Sequence, residues 1–321
     1  MVITKKIVCW GLLLTRLLLI LLAVITVSPL VASASNVKIT INTYSLSGMG
    51  SVNTHWLETE EGIIVIDGQR SLSAANKALT QIKKTNKPII GIFNTHAHPD
   101  HFGGIRVFAD SAPKAAVYAS PITHEQIKND TLGYIKASRE VVGDDFPQNV
   151  LVPNQLVEDG DRIKLAGVEI YVRELGPNEA SSMTLFHIPQ AQSLFSGDLI
   201  ANGMTPFLLE GHTSKWIKQL KTLSAMFPNV VTIYPGHGSA GAKDLLINKQ
   251  LEYLTRFREL VADSLSNDGQ ISSDEKNEII QRMNSLYPGY KPVAEIPDLL
   301  ERNINTVANE LSTDTVLKVK R

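Results

Sequence analysis

Apolar positions along the chain alternate between two periods. Residues 37–41 and 62–66 are short runs rich in Val and Ile, the pattern of strands. From 71 to 84, Leu72, Ala75, Leu79 and Ile82 recur at three- and four-residue steps, which predicts an amphipathic helix. Lys87-Pro88 stops it, and Ile89 to Phe93 is a continuous apolar run expected to be a buried strand. The β-α-β order goes on with a strand at 116–118 and a mostly helical stretch at 122–139. Residues 150–195 read as β-rich, with turns at Asp159-Gly160-Asp161 and Ala166-Gly167. A helix is predicted over 214–227, where Trp216, Leu220 and Leu223 share one side. A strand at 230–233 then leads into Tyr234-Pro235-Gly236-His237-Gly238. Two successive runs of mixed strands and helices predict a layered α/β domain.

Beyond Gly241 the strand signals stop. Ile247, Leu251, Leu254, Val261 and Leu265 form a helical stripe. Ser272-Ser273-Asp274-Glu275 has the spacing of a capping box. Leu300, Ile304, Val307 and Leu311 mark a third helix after Pro297. The tail is read as a helical cover over the main domain, with a homo-oligomer contact as the alternative.

The N-terminus follows neither period. Lys5 and Lys6 precede an apolar run from 7 to 31, which closes on Ala32-Ser33-Ala34. Basic, then apolar, then small is the order of a secretory signal peptide cut after Ala34. A retained membrane anchor is the alternative, because the run is nearly long enough to span. The expected organisation is a signal peptide at 1–34, an α/β domain at 35–240 and a helical extension at 241–321. Removal of the first segment leaves 28 basic against 32 acidic residues and no cysteine. That balance gives no basis for nucleic-acid binding, and the absence of thiols suits an oxidising, periplasmic or extracellular compartment. The only cysteine of the 321 residues, Cys9, lies in the segment removed, so neither an internal disulfide nor a cysteine metal cluster is expected.

Three of eight histidines fall within six residues, in Thr95-His96-Ala97-His98-Pro99-Asp100-His101, just after a predicted buried strand. Imidazoles and a carboxylate at this density suit a zinc-type ion. Buried without a partner, they would cost several kcal/mol.

His96-x-His98-x-Asp100-His101 resembles the signature of the metallo-β-lactamase-fold hydrolase superfamily. Three further segments stand in that family's order: residues 63–68 ending in Asp67-Gly68, residues 194–198 ending in Gly197-Asp198, and residues 234–238 with His237. The resemblance implies an αββα metallo-β-lactamase-type sandwich over about residues 37–240, followed by the helical extension. One segment departs from the pattern. The family's Gly-His-Thr is replaced by Gly176-Pro177-Asn178-Glu179-Ala180-Ser181, which places Glu179 at the histidine's position, as in the alkylsulfatase branch. Glutamate is itself a zinc ligand. Gly211-His212-Thr213 lies after Asp198, the wrong order for that ligand, so His212 is read as a pocket or loop residue. His187 is read as a core histidine, and His55 and His124 as surface or pocket residues.

The resemblance implies one metal held by His96, His98 and Glu179, a second by Asp100, His101 and His237, and Asp198 between them. Asp100 is also expected to act catalytically by orienting the nucleophile, and Asp67 to fix the loop and a histidine tautomer from behind. The implied cofactor is two Zn2+ per chain, with another divalent transition metal as the alternative. The implied activity is that of an exported hydrolase whose metal-bridging hydroxide attacks an ester-, lactone-, amide- or sulfate-type bond of a small-molecule substrate. Asp198 at the bridging position argues against a β-lactamase. Two alternatives remain: an Fe(II) oxygenase of the same fold, since His96, His98 and Glu179 have facial-triad composition, and a non-catalytic binding module.

Overall fold

The computed structural model describes residues 37–46, 50–266 and 269–319, with side chains to residue 313. The expected signal peptide at 1–34 lies outside the described residues. Among the described residues no helix is long and apolar enough to cross a membrane.

Two six-stranded sheets form the centre. The first runs β1 (Thr40–Ser45), β2 (Asn53–Glu58), β3 (Ile63–Ile66), β4 (Ile89–Phe93), β5 (Ala116–Ala119) and β6 (Gln155–Leu156), in that spatial order. It is antiparallel up to β3 and parallel from β3 onward. The second is built from β7 (Arg162–Leu165), β8 (Val168–Leu175), β9 (Met183–Ile188) and β10 (Ser193–Ala201). The two-residue β11 (Met204–Thr205) leaves this sheet. β12 (Thr232–His237) then joins parallel to β10, and β13 (Gly241–Ala242) completes the edge.

β3 shows why helices lie outside both sheets. Side chains alternate across a strand. Ile64 and Ile66 face inward, into a cluster with Leu57 and Phe93 of their own sheet. Val168, Ile170 and Val172 of β8, with Phe186 and Phe195, fill the same cluster from the other sheet. Ile63 and Val65 face outward, onto Ala75, Ala78, Leu79 and Ile82 of α1 (Leu72–Lys83). Both faces are therefore apolar and both need covering. The predicted helix is α1, and Ser71 caps it by accepting from the Ala74 N–H. Short α2 (Pro99–Phe102) and α3 (Ile105–Ser111) add Phe102, Ile105 and Phe108 to this outer layer.

The helical stretch expected at 122–139 is two helices, α4 (Pro121–Asn129) and α5 (Tyr134–Val142). Asp130 and Gly133, both with positive φ, break it. The first strand lies three residues later than expected, and β2 was not anticipated. Its sequence Asn-Thr-His-Trp-Leu-Glu lacks apolar alternation because its polar side chains are buried as ties to the other sheet. Asn53 Nδ2 donates to Pro235 O (2.9 Å) and Gly238 O (2.7 Å), and His55 Nε2 to Pro235 O (2.9 Å).

On the outer face of the second sheet, Leu185, Leu194 and Ile233 meet Trp216, Leu220 and Leu223 of α6 (Thr213–Met226). The same cluster contains Leu254, Phe257 and Val261 of α7 (Lys243–Asp263), Ile279 and Met283 of α8 (Ser273–Leu286), and Ile304 and Val307 of the last helix. The capping box at Ser272 and Glu275 is present. Between these helices β14 (Lys291–Pro292) pairs parallel with β11. The last helix is α9 (Leu299–Val319).

Candidate metal centre

The site lies where strands of both sheets end. β4 gives way to Thr95, His96 and His98, and the single turn of α2 then directs Asp100 and His101 to the same place. Glu179 comes from the β8–β9 loop, Asp198 from β10 and His237 from the end of β12. β10 reaches the site through a local irregularity: its register against β12 shifts around Gly197, whose φ is +49°. Such a bulge re-aims the next side chain, here Asp198. Gly236 leaves room for it, because a Cβ there would collide with Asp198 Oδ1.

All seven residues singled out in the sequence are buried and fall into two adjoining clusters. One contains His96, His98, Glu179 and Asp198; the other Asp100, His101 and His237. His98 Nδ1 is 3.2 Å from Glu179 Oε1, and His96 Nε2 is 3.7 Å from Glu179 Oε2. Asp198 stands between the clusters, 3.2 Å from His101 Nε2 and 3.1 Å from His237 Nε2. His237 Nε2 is also 3.4 Å from Asp100 Oδ2.

Asp67 holds this arrangement from behind. Its carboxylate accepts from Thr95 N and Thr95 Oγ1 (both 2.8 Å), and His101 Nδ1 lies 2.8 Å from Oδ2. A carboxylate oxygen accepts, so His101 donates from Nδ1 and turns Nε2 to the site. His237 Nδ1 is likewise engaged by Ser51 O.

The donor set fits a divalent metal. Among the described residues, His96 Nε2, His101 Nε2, His237 Nε2, Asp198 Oδ1 and both Glu179 oxygens are buried with no hydrogen-bond partner. Six such atoms at one place would be costly unless a cation satisfies them, and imidazole with carboxylate is the ligand chemistry of zinc-type ions. Protonation behaviour agrees. Burial pushes Glu179 up to about 7, against the pull of His98. Burial alone would lower His237, but Asp198 and Asp100 outweigh it and carry it to about 10. Burial would raise Asp100, but Arg70 and His101 outweigh it and hold it below the carboxylate range. Glu179 and His237 thus hold protons that a bound metal would displace.

A cavity of about 150 Å³ opens onto Asp100, Glu179, Asp198 and His237. Its walls are largely apolar, from Tyr134, Val141, Phe207, Val293 and Ile296 among others. Arg70 and Tyr134 of this cavity, and Glu210 beside it, were not picked out in the sequence. Arg70 lies 3.6 Å from Asp100. Glu210 accepts from Ser181 Oγ (2.6 Å) and faces His98 Nε2 (3.1 Å). Tyr134 donates to Glu210 (3.4 Å). The only local signal for Glu210 is its place beside Gly211-His212-Thr213.

The other histidines stand outside both clusters. His212 precedes α6. His187 is half-buried between the Tyr171 and Phe227 rings. His124 Nδ1 meets Pro153 O at 2.9 Å. His55 is not a surface residue: it is 2% exposed and bonded through both nitrogens.

The model of the metallo-beta-lactamase superfamily matches residues 47–237. Metallo-beta-lactamase IND-1 of Chryseobacterium indologenes is 25% identical over 191 residues, covering 58% of this chain and 72% of that protein. A hydroxyacylglutathione hydrolase of Prochlorococcus marinus (strain MIT 9211) is 24% identical over 250 residues, covering 73% and 87%. The crystal structure of a metallo-beta-lactamase family protein from Thermus thermophilus matches with a TM-score of 0.62 at 17% identity, over 86% of this chain and 94% of that one. That likeness concerns the fold, and the site described above concerns the chemistry. Together with the family match they place the protein: the chain belongs to the metallo-beta-lactamase superfamily and is, like its homologues there, a metal-dependent hydrolase.

Proposed function

We propose that the chain is an exported dinuclear zinc hydrolase acting on an ester-, lactone-, amide- or sulfate-type bond of a small molecule. The observation that carries this reading is the convergence of six unpartnered buried donor atoms on five residues. In this reading His96, His98 and Glu179 hold one ion, Asp100, His101 and His237 the other, and Asp198 serves both. Held by these residues, two ions would supply a water whose pKa is lowered towards about 7 and would polarise the scissile group. The chain's own residues do the rest. Asp100 lines the cavity as an ionised acceptor, kept so by Arg70; it orients the attacking water and passes that water's proton on to the leaving group. Tyr134, Phe207 and Val293 keep bulk water off the bound substrate. The basic, apolar, small-residue order of the first 34 residues supports export.

Elemental analysis of protein purified without chelator should give about two zinc ions per chain. A panel of ester, lactone, sulfate-ester and β-lactam substrates should show turnover of one class that chelation abolishes. Glu179→Ala should lose one ion and activity together, whereas Glu179→His should retain both ions. One iron and no zinc would overturn the reading; full metal content in Glu179→Ala would remove Glu179 from the ligand set. Sequencing of the native N-terminus should begin near Ser35; a chain that starts at Met1 would refute cleavage.

A further inference from the structure

His98 touches two carboxylates, and only one belongs to the expected ligand set. Nδ1 faces Glu179, while Nε2 faces Glu210. We propose that Glu210 is a positioning residue of the metal centre, holding His98 in the tautomer and orientation that present Nδ1 to the ion shared with His96 and Glu179. The proposal rests on the metal reading of that cluster, but not on any substrate.

A neutral imidazole carries one proton and one free lone pair. An ionised carboxylate at 3.1 Å can only accept, so it selects the tautomer with the proton on Nε2. The lone pair on Nδ1 then points to where His96 Nε2, Glu179 and Asp198 converge. The opposite tautomer would set a lone pair against the Glu210 carboxylate. Asp67 does the same for His101 in the other cluster, with exchanged nitrogens.

Glu210 is held firmly enough for this task. Its side chain is 7% exposed. One oxygen accepts from Ser181, two residues beyond Glu179; the other also receives the Tyr134 hydroxyl. The loop carrying it is pinned by α9: Asn303 Oδ1 accepts from Leu208 N (3.0 Å), and Asn303 Nδ2 donates to Pro206 O (2.9 Å). Just past the loop, Glu310 of α9 accepts from Thr213 N and Ser214 N at the start of α6. Glu210 therefore links His98 to the Glu179 loop, and the loop that carries it is anchored in turn on the C-terminal helix.

The test uses the full chain, stripped of metal and titrated with zinc or cobalt(II) against a chelating dye. Glu210→Ala should weaken one of the two sites about 10- to 100-fold and alter the visible cobalt spectrum, with the other site unchanged. Glu210→Gln keeps an acceptor for the Nε2 proton, so its affinity should fall less than that of Glu210→Ala. Its metal-free melting temperature should match wild type. Wild-type affinity and spectrum in Glu210→Ala would overturn the proposal. So would equal losses in both variants accompanied by a lower metal-free melting temperature, the mark of a loop anchor only. A wild-type chain that takes up no cobalt would sink the metal reading itself, and this role with it. Metal uptake without turnover of the substrate panel would count against the hydrolase reading alone.

Discussion

His55 shows how far a polar side chain can be drawn into a structural role. It sits between the sheets, where Nδ1 accepts from Thr43 Oγ1 (2.8 Å) and Nε2 donates to Pro235 O (2.9 Å). Both bonds suit the neutral ring. Burial lowers its pKa from 6.5 to about 4. The unfolded chain therefore binds more protons than the folded one between these values, and stability falls as pH drops through that window. The contribution is complete above about pH 6.5 and amounts to about 3 kcal/mol over the full shift. Urea unfolding of metal-free protein at pH 7, 5.5 and 4.5 should show this slope, and His55→Gln should flatten it while costing about 1–2 kcal/mol at pH 7 for the altered hydrogen bonds. An unchanged slope in the variant would assign the acid sensitivity to other groups. His55 also marks what single residues conceal. His96, His98, Asp100 and His101 could be read because they share one short segment. Arg70, Tyr134 and Glu210 have no such neighbours, and only the fold brings them to His98 and Asp100.

At the scale of elements, the sequence was most legible where one period ran uninterrupted. α1, β4 and α6 lie within a residue or two of their expected bounds, since each has an apolar face and a clear stop. β2 was illegible because two of its three inward positions are Asn53 and His55, which tie the strand to the other sheet, and only Leu57 enters the apolar core. The Ala166-Gly167 turn was readable, and the structure adds a conformational cost to it. Leu165 pairs with Val168, so the β7–β8 hairpin turns on two residues, with φ +47° at Ala166 and +74° at Gly167. Positive φ at both places favours Asn-Gly, and alanine is poorly suited to the first. Ala166→Asn should therefore stabilise the protein by about 0.5–1 kcal/mol, read as a higher denaturant midpoint with unchanged metal content. A lower midpoint would show that this turn is not strained by its alanine.

At the scale of the molecule, the C-terminal helices decide whether the sandwich can stand by itself. The sequence changes character near residue 240, where strand signals end, and that change suggests a boundary. The core crosses it. Leu185, Leu194, Leu199, Trp216, Leu220 and Ile233 belong to the same buried cluster as Leu254, Phe257 and Val261 of α7 and Ile304 and Val307 of α9. Uncovering the first group costs about 1.5–3 kcal/mol for each side chain fully exposed. Partial exposure of several is on the order of 10 kcal/mol, the size of the whole net stability of an ordinary domain. The tail also supplies Val293 and Ile296 to the cavity wall, and Asn303 to the loop that carries Glu210. A chain ending at residue 240 should accordingly be insoluble or lack a cooperative unfolding transition, and supplying residues 241–321 as a separate peptide should not restore activity at micromolar concentration. Near-ultraviolet circular dichroism and a urea titration of the refolded fragment are the measurements. If the fragment instead unfolds cooperatively and binds metal as the full chain does, the helical extension is a module added to a self-sufficient sandwich, and its contacts with the Glu210 loop are dispensable.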